Sequence, residues 1–154
     1  MNNNDILRRI RDIFSLDDSE MGLIFDQADV GIPRETADAW LKKDNDSGYP
    51  ELSDSQLAVF LNGFINYKRG KKEGPQPEAQ KYLTNNIIFN KLKIALNLQA
   101  DDVMEVLEAA DLHISRHELS AIFRKPGNKH FRECTDQMLD AFLKGLQLRF
   151  QAEA

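Results

Sequence analysis

The chain of 154 residues is 42% apolar and 29% charged, which is typical of a globular protein rather than a disordered or fibrous one. Its apolar stretches reach four or five residues, far short of the roughly 20 that a membrane-spanning helix needs. The segment Met1–Asp5 has neither the basic nor the apolar region of a secretory signal. From these two features we expect no membrane partner. Because the single cysteine, Cys134, cannot pair within the chain, we also expect a cytoplasmic protein without internal disulfides.

The sequence repeats itself at an offset of 82 residues, without a gap. Most apolar positions of one copy are apolar in the other, and identical residues are spread along the whole repeat. The identical pairs include Asn3-Asn4 with Asn85-Asn86, Ala28-Asp29 with Ala110-Asp111, Arg34 with Arg116, Glu51 with Glu133, Asp54 with Asp136, and Gly63 with Gly145. A fixed period of this kind predicts a duplicated structural unit.

Each copy predicts four helices, because its apolar residues recur at intervals of three and four. The first helix follows asparagines suited to N-capping, and the second follows the acidic pair Asp17-Asp18. In the first copy the third helix begins at Pro33, a residue favoured in the first helical turn. In the second copy it begins at Ser115, which predicts a capping box with Glu118.

A polar loop is predicted between the third and fourth helices of each copy, at Asp44–Pro50 and at Pro126–Arg132. Ser53 and Thr135 are then the expected N-caps of the two fourth helices.

The fourth helices carry the strongest apolar stripe of each copy, and Gly63 and Gly145 lie at the same place within it. A glycine inside a helix costs about 1 kcal/mol relative to alanine. Because both copies keep it, we predict a close helix–helix approach that a Cβ atom would block. Trp40, Phe60 and Phe142 are predicted to be buried.

The sequence thus predicts an all-α fold of two tandem four-helix repeats, packed about a pseudo-twofold axis like a dimer fused into one chain. The first repeat is predicted at residues 1–74 and the second at residues 85–150. Residues 75–84 are predicted to form a linker with a short helix, Glu78–Leu83. The sequence leaves the oligomeric state open, and a monomeric pseudo-dimer is compatible with it.

Several motifs resemble the YehS-like family, a duplicated bacterial domain of unknown function. They are Asn-Asn-x-Ile at the start of both halves, Phe-Leu-Asn-Gly-Phe-Ile followed by Lys-Arg-Gly-Lys at 60–71, and Phe-Arg-Glu-Cys-x-Asp-Gln before Phe-Leu-x-Gly-Leu at 131–146. The resemblance covers essentially the whole chain. It implies a bacterial, cytosolic protein and no particular activity.

No combination of residues predicts a catalytic, metal or cofactor site. Cys134 lies near His130 and Asp136, but its counterpart in the first copy is a leucine, which indicates a small buried residue. His113 and His117 are four residues apart, but His113 precedes the predicted cap of the third helix, so the two rings should not share a helical face. Phosphate-binding glycine motifs are absent from the sequence.

Three charged pairs kept in both copies indicate structural ion pairs rather than a binding site. In this interpretation the arginine at the start of each third helix holds the following loop and the first turn of the fourth helix. The pairs are Arg34/Arg116, Glu51/Glu133 and Asp54/Asp136.

Two groups of basic residues are candidates for binding a partner or a nucleic acid. One is the basic run after the first repeat, which could instead complement the dipole of a helix end. The other would face outward if the third helix of the second copy were the recognition helix of a repressor-type helix-turn-helix. The candidates are Lys68, Arg69, Lys71, Lys72, Arg116, Arg124 and Lys125.

These observations leave three functional hypotheses. The preferred one is a non-enzymatic helical module that binds a macromolecule, with a protein favoured over DNA because the chain has a net charge of −5. The alternative is DNA binding through the duplicated helix-turn-helix, although the segment from Ala28 to Pro33 is about two residues too long for the usual tight turn. The third is a small enzyme with a site at the junction of the repeats.

Overall fold

The computed structural model describes residues 1–41 and 50–152, with the backbone alone at Ala152. Within these ranges it contains helices and no strand, which confirms the all-α class and the duplicated repeat. The helices of the first copy are α1 (Asn3–Ile13), α2 (Asp18–Asp26), α3 (Arg34–Trp40) and α4 (Asp54–Arg69). Those of the second copy are α5 (Asn85–Ala95), α6 (Ala100–Ala109), α7 (Arg116–Ile122) and α8 (Asp136–Ala152).

The chain divides into two compact units, Met1–Leu83 and Thr84–Ala154. Their arrangement about a pseudo-twofold axis stays a prediction. Among the described residues, no helix has the length and apolar character needed to cross a membrane. The polar loop predicted from Asp44 to Pro50 lies outside the described residues, apart from Pro50.

Side-chain caps fix where several helices begin. The predicted caps Ser53 and Thr135 are confirmed, because their hydroxyls accept hydrogen bonds from backbone amides in the first turns of α4 and α8, both at 3.1 Å. The Ser115 hydroxyl likewise accepts from the Glu118 amide at 3.1 Å. Thr84, rather than an asparagine, caps α5.

The short helix predicted at Glu78–Leu83 does not form, because residues 75–83 have no regular secondary structure. The Leu83 amide donates to the Asp54 carboxylate at 2.9 Å instead of to a carbonyl four residues earlier. The six-residue segment is also far shorter than the length at which a helix is stable by itself. This segment belongs to the compact unit Met1–Leu83, and the bounds given for the two repeats stay predictions.

Each unit has an aromatic core. In the first, Phe25 contacts Phe60 edge-on at 5.1 Å and Trp40 at 5.7 Å between ring centroids. In the second, Phe142 stacks on Phe89 at 4.1 Å. Trp40, Phe60 and Phe142 are all buried, as predicted.

The two glycines of the fourth helices lie where a neighbouring helix crosses most closely, as predicted. A Cβ atom at Gly63 would collide with the backbone carbonyl of Ile24 in α2. At Gly145 it would collide with the carbonyl of Val106 in α6. These contacts set the distances between α2 and α4 and between α6 and α8, which are the most extensive helix contacts of their units.

A buried asparagine near the start of each unit holds the connection between the third and fourth helices. The Asn4 side-chain amide donates to the carbonyl oxygens of Trp40 (2.9 Å) and Pro50 (3.0 Å), and its oxygen accepts from the Leu52 amide (2.8 Å). Asn3 donates to the Leu52 carbonyl and to the Asp54 carboxylate. These asparagines lie inside α1, so they are not caps; Asn2 is the cap.

The second unit repeats this arrangement bond for bond. Asn86 donates to the carbonyl oxygens of Ile122 (3.0 Å) and Arg132 (2.8 Å) and accepts from the Cys134 amide (2.9 Å). Asn85 donates to the Cys134 carbonyl and to the Asp136 carboxylate. We call Asn3-Asn4 and Asn85-Asn86 the asparagine clamps.

Replacing the close-contact glycines by alanine should destabilise the protein. In Gly63→Ala or Gly145→Ala the backbone must shift, which should lower the free energy of unfolding by about 1–3 kcal/mol despite the better helix propensity of alanine. Gly22→Ala is the matched control, because a Cβ there meets no atom within 4 Å. The control should gain up to about 1 kcal/mol in urea denaturation. Equal effects at the three glycines would contradict the close approach.

Removing a clamp side chain should cost more than removing another asparagine of the same helix. In Asn86→Ala a buried amide and carbonyl lose their partners, so we expect a loss of about 3 kcal/mol or more in urea denaturation. Asn86→Asp should be no more stable than Asn86→Ala, because a carboxylate cannot donate hydrogen bonds to the two carbonyl groups. Asn90→Ala, also in α5, should change stability by less than about 0.5 kcal/mol. A loss of that small size at Asn86 would show that the clamp is dispensable.

Candidate functional site

The basic run lies at and beyond the end of α4, and two of its cations contact their own unit. The Lys68 ammonium lies over the ring of Phe14, 5.2 Å from its centroid, a favourable cation–π contact. Lys71 pairs with the Asp29 carboxylate. Gly70 ends the helix at φ 94°, so Lys71 and Lys72 are outside α4, while Lys68 and Arg69 complement the dipole at its end.

The helix-turn-helix interpretation required the three basic candidates of the second unit to share one helical face, and they do not. Because α7 ends at Ile122, only Arg116 is on it. Arg124 and Lys125 lie beyond its C-cap, in the connection that turns through Pro126. Arg124 is half-buried, and its Nε has no hydrogen-bond acceptor among the residues that the structure describes.

The predicted ion pairs of Arg116 with the following loop were wrong. Arg116 instead pairs with Asp101, at the start of α6. The Asp136 carboxylate accepts from Asn85 at 2.7 Å, so the acid that both repeats carry at the start of the fourth helix is a partner of the asparagine clamp. A different arginine, Arg132, pairs with Glu118 at 2.6 Å and lowers the pKa of that carboxyl.

The second and third helices of both units lie in strongly acidic segments. Residues 17–38 contain seven carboxylates and one arginine, and residues 99–120 contain six carboxylates and one arginine. The connections between these helices, residues 27–33 and 110–115, exceed the three or four residues of a DNA-binding helix-turn-helix. This charge opposes close approach to phosphates.

The identity of Asp29 and Asp111 in the two repeats has a backbone explanation. Both residues have φ 60° and lie just after the second helix of their unit. Aspartate tolerates this left-handed conformation better than most residues. Their conservation between the copies therefore needs no binding role.

Cys134 is placed as a structural residue. It is buried, its amide is held by Asn86, and its thiol donates to the Thr135 carbonyl at 3.6 Å. Burial, and then the charge of Asp136, raise the pKa of the thiol to about 12. The catalytic combination with His130 thus lacks an accessible thiolate.

The histidines are at the surface of the second unit. His113 is exposed and lies 3.9 Å from the Glu108 carboxylate, and His117 is exposed on α7. In the described ranges, no group of three or more His, Cys, Asp or Glu side chains could hold a metal ion.

The first unit contains a cleft between α2 and α3 that no pattern within a single repeat predicts. Its volume is about 300 Å³. Leu23, Phe25, Ile32 and Ala37 supply apolar walls, and the remaining lining residues are Asp18, Ser19, Gly22, Asp26 and Arg34. We call it the α2–α3 cleft. Comparing the two repeats would have indicated it, because Gly22 and Ala37 correspond to the larger Met104 and Leu119.

A second concavity lies between the end of α6 and α8, in the other unit. Its volume is about 480 Å³, and its lining combines small, apolar and polar side chains. The lining residues are Ala109, Ala110, Asp111, Lys144, Gln147, Leu148 and Gln151. Its one acid, Asp111, is balanced by one base, Lys144, whereas two acids and one base line the α2–α3 cleft, so it selects a partner by charge less clearly.

Comparisons with known proteins agree with the duplicated architecture. A family model described as "Protein of unknown function (DUF1456)" matches residues 3–70 and 85–151, one match for each repeat. The chain is 39% identical over 150 residues to the "Uncharacterized protein YehS" of Escherichia coli, covering 97% of this chain and 96% of that protein. This confirms the resemblance to the YehS-like family. No solved structure matches the chain.

The Cys134 thiol should be unreactive until the protein unfolds. Because its pKa is raised to about 12, the group is protonated and also shielded near pH 8. A colourimetric disulfide reagent should therefore react orders of magnitude more slowly with the native protein than with protein in concentrated guanidinium chloride. Equal rates in the two conditions would contradict the buried, protonated thiol.

Proposed function

Since the chain belongs to the DUF1456 family, whose function is unknown, we propose a role from its own surface: a non-enzymatic module that binds another protein. The observation that supports this most is the α2–α3 cleft, whose lining combines apolar walls with the exposed carboxylates of Asp18 and Asp26. Interfaces between proteins commonly place an apolar centre inside a polar rim.

Charge favours a protein over DNA as the partner. A DNA-binding surface needs cations free to face phosphates. Here Lys68 contacts an aromatic ring, Lys71 pairs with Asp29, and Arg116 pairs with Asp101. The helices that a helix-turn-helix would present lie in segments with six or seven carboxylates and one arginine each.

A binding role is also favoured over catalysis. The one thiol of the chain is buried and has a raised pKa, which removes the strongest nucleophile from consideration. His113 and His117 are exposed rather than oriented in a pocket, and catalytic bases usually lie in clefts with hydrogen-bond partners that orient them.

Capture from a bacterial lysate on the immobilised full chain should distinguish these hypotheses. A protein partner should be retained after nuclease treatment, and the double change Asp18→Asn with Asp26→Asn should weaken its retention. The matched control is Glu105→Gln with Glu108→Gln, which neutralises two exposed carboxylates of the second unit. Under this proposal the control should retain the partner as the natural chain does.

The DNA alternative predicts the opposite result with labelled duplex DNA at two salt concentrations. It requires log K to fall by about 0.9 for each phosphate contact and each log unit of salt. It also requires that Arg116→Ala, Arg124→Ala and Lys125→Ala together flatten this dependence. We expect no measurable duplex binding at moderate salt; steep binding lost in the triple variant would replace the proposed function by DNA binding.

A further inference from the structure

We propose that the α2–α3 cleft binds an apolar side chain presented by a basic segment of the partner protein. This rests on the proposed function and adds to it the site and the chemistry of the partner. The structure supports it in three independent ways: the exposure of apolar groups at the cleft, the residues that keep the cleft open, and the charge around it.

Apolar groups that would otherwise face water lie at this cleft. Leu23, which lines it, is 48% exposed, and Ile32, also in the lining, is half-buried. Phe25 and Ala37 are buried and form part of the wall. The volume of about 300 Å³ is at the lower end of the range for ligand pockets. It suits an anchoring apolar side chain better than a large cofactor.

The cleft is open because small residues stand where the second repeat has large ones. Gly22 and Ala37 correspond to Met104 and Leu119, and the exposed Leu23 corresponds to Glu105. A Cβ atom at Gly22 would meet nothing within 4 Å, so the glycine is not required by helix packing there. This contrasts with Gly63, whose missing Cβ lets α2 and α4 approach.

The charge around the cleft selects a basic partner. Asp18 and Asp26 line it, and Arg34 is the one cation among the lining residues. The segment that forms both helices carries seven carboxylates against that single arginine. Lysine or arginine residues on either side of the anchoring side chain would therefore meet opposite charge, which favours correct partners and speeds association.

The test uses a fluorescein-labelled synthetic peptide of leucines and lysines, spaced so that one helical face is apolar. Fluorescence anisotropy should show binding to the full chain that weakens as salt is added. The double variant Gly22→Met with Leu23→Glu installs the residues of the second repeat. It should weaken binding at least about tenfold, since anchoring residues dominate the affinity of interfaces.

Two further variants and two altered peptides make the result specific. Glu105→Gln, in the second unit, should bind the peptide slightly more weakly or equally. Peptides with every leucine replaced by serine, or every lysine by glutamate, should not bind. Urea denaturation checks that each variant folds. Asp26→Asn changes an exposed residue and should weaken binding, so it tests the cleft even if the double variant unfolds.

Two outcomes overturn the inference. If the natural chain does not bind the peptide, the assignment of a basic, apolar partner is wrong. If the double variant and Asp26→Asn bind as well as the natural chain, the peptide binds elsewhere and the α2–α3 cleft is not the site. Neither outcome decides the proposed function. That function is tested separately, by whether the natural chain captures a protein from a lysate after nuclease treatment.

Discussion

The hydrogen bonds of the buried member of each asparagine clamp are the interaction on which the fold of that unit depends. Asn4 and Asn86 each bond to partners on both sides of the connection from the third helix to the fourth, 36 to 48 residues away in sequence. An amide is suited to this because it donates and accepts at once. Two of the acceptors are the carbonyl oxygens of Trp40 and Ile122, the last residues of α3 and α7. Carbonyl groups at the end of a helix receive no hydrogen bond from an amide of the same helix. The clamp thus caps one helix and positions the next.

The duplication separates residues that maintain the framework from residues that define a surface. The framework positions are identical in the two units: the clamp asparagines, the close-contact glycines, the left-handed Asp29 and Asp111, and the carboxylates of Asp54 and Asp136. Most positions that line the α2–α3 cleft differ between the units, although Ile32 and Arg34 are matched by Ile114 and Arg116. A charged pair kept in both copies is therefore evidence for folding, and a difference between the copies is where a binding role should be sought.

Sequence patterns predicted the helices and the core because each apolar stripe occurs twice with the same spacing, so a chance pattern in one copy is corrected by the other. They also predicted the crossings at Gly63 and Gly145, since a repeated helical glycine needs a steric reason. They missed the asparagine clamps because asparagine favours helix starts as well, and its true partners are dozens of residues away. Arg116 was paired with the wrong acid for the same reason: sequence distance does not reveal that Asp101 is its neighbour.

The α2–α3 cleft could not be predicted from one copy because it is created by side chains that are small. Gly22 and Ala37 are compatible with any amphipathic helix and carry no chemical signal, whereas a catalytic or metal site requires particular functional groups. Only the structure shows that the space beside Gly22 is empty and that Leu23 remains exposed next to it. An exposed leucine alone is ordinary on a protein surface. Its functional meaning comes from its position at a cleft, within a strongly acidic segment, beside small residues that the second repeat replaces by larger ones.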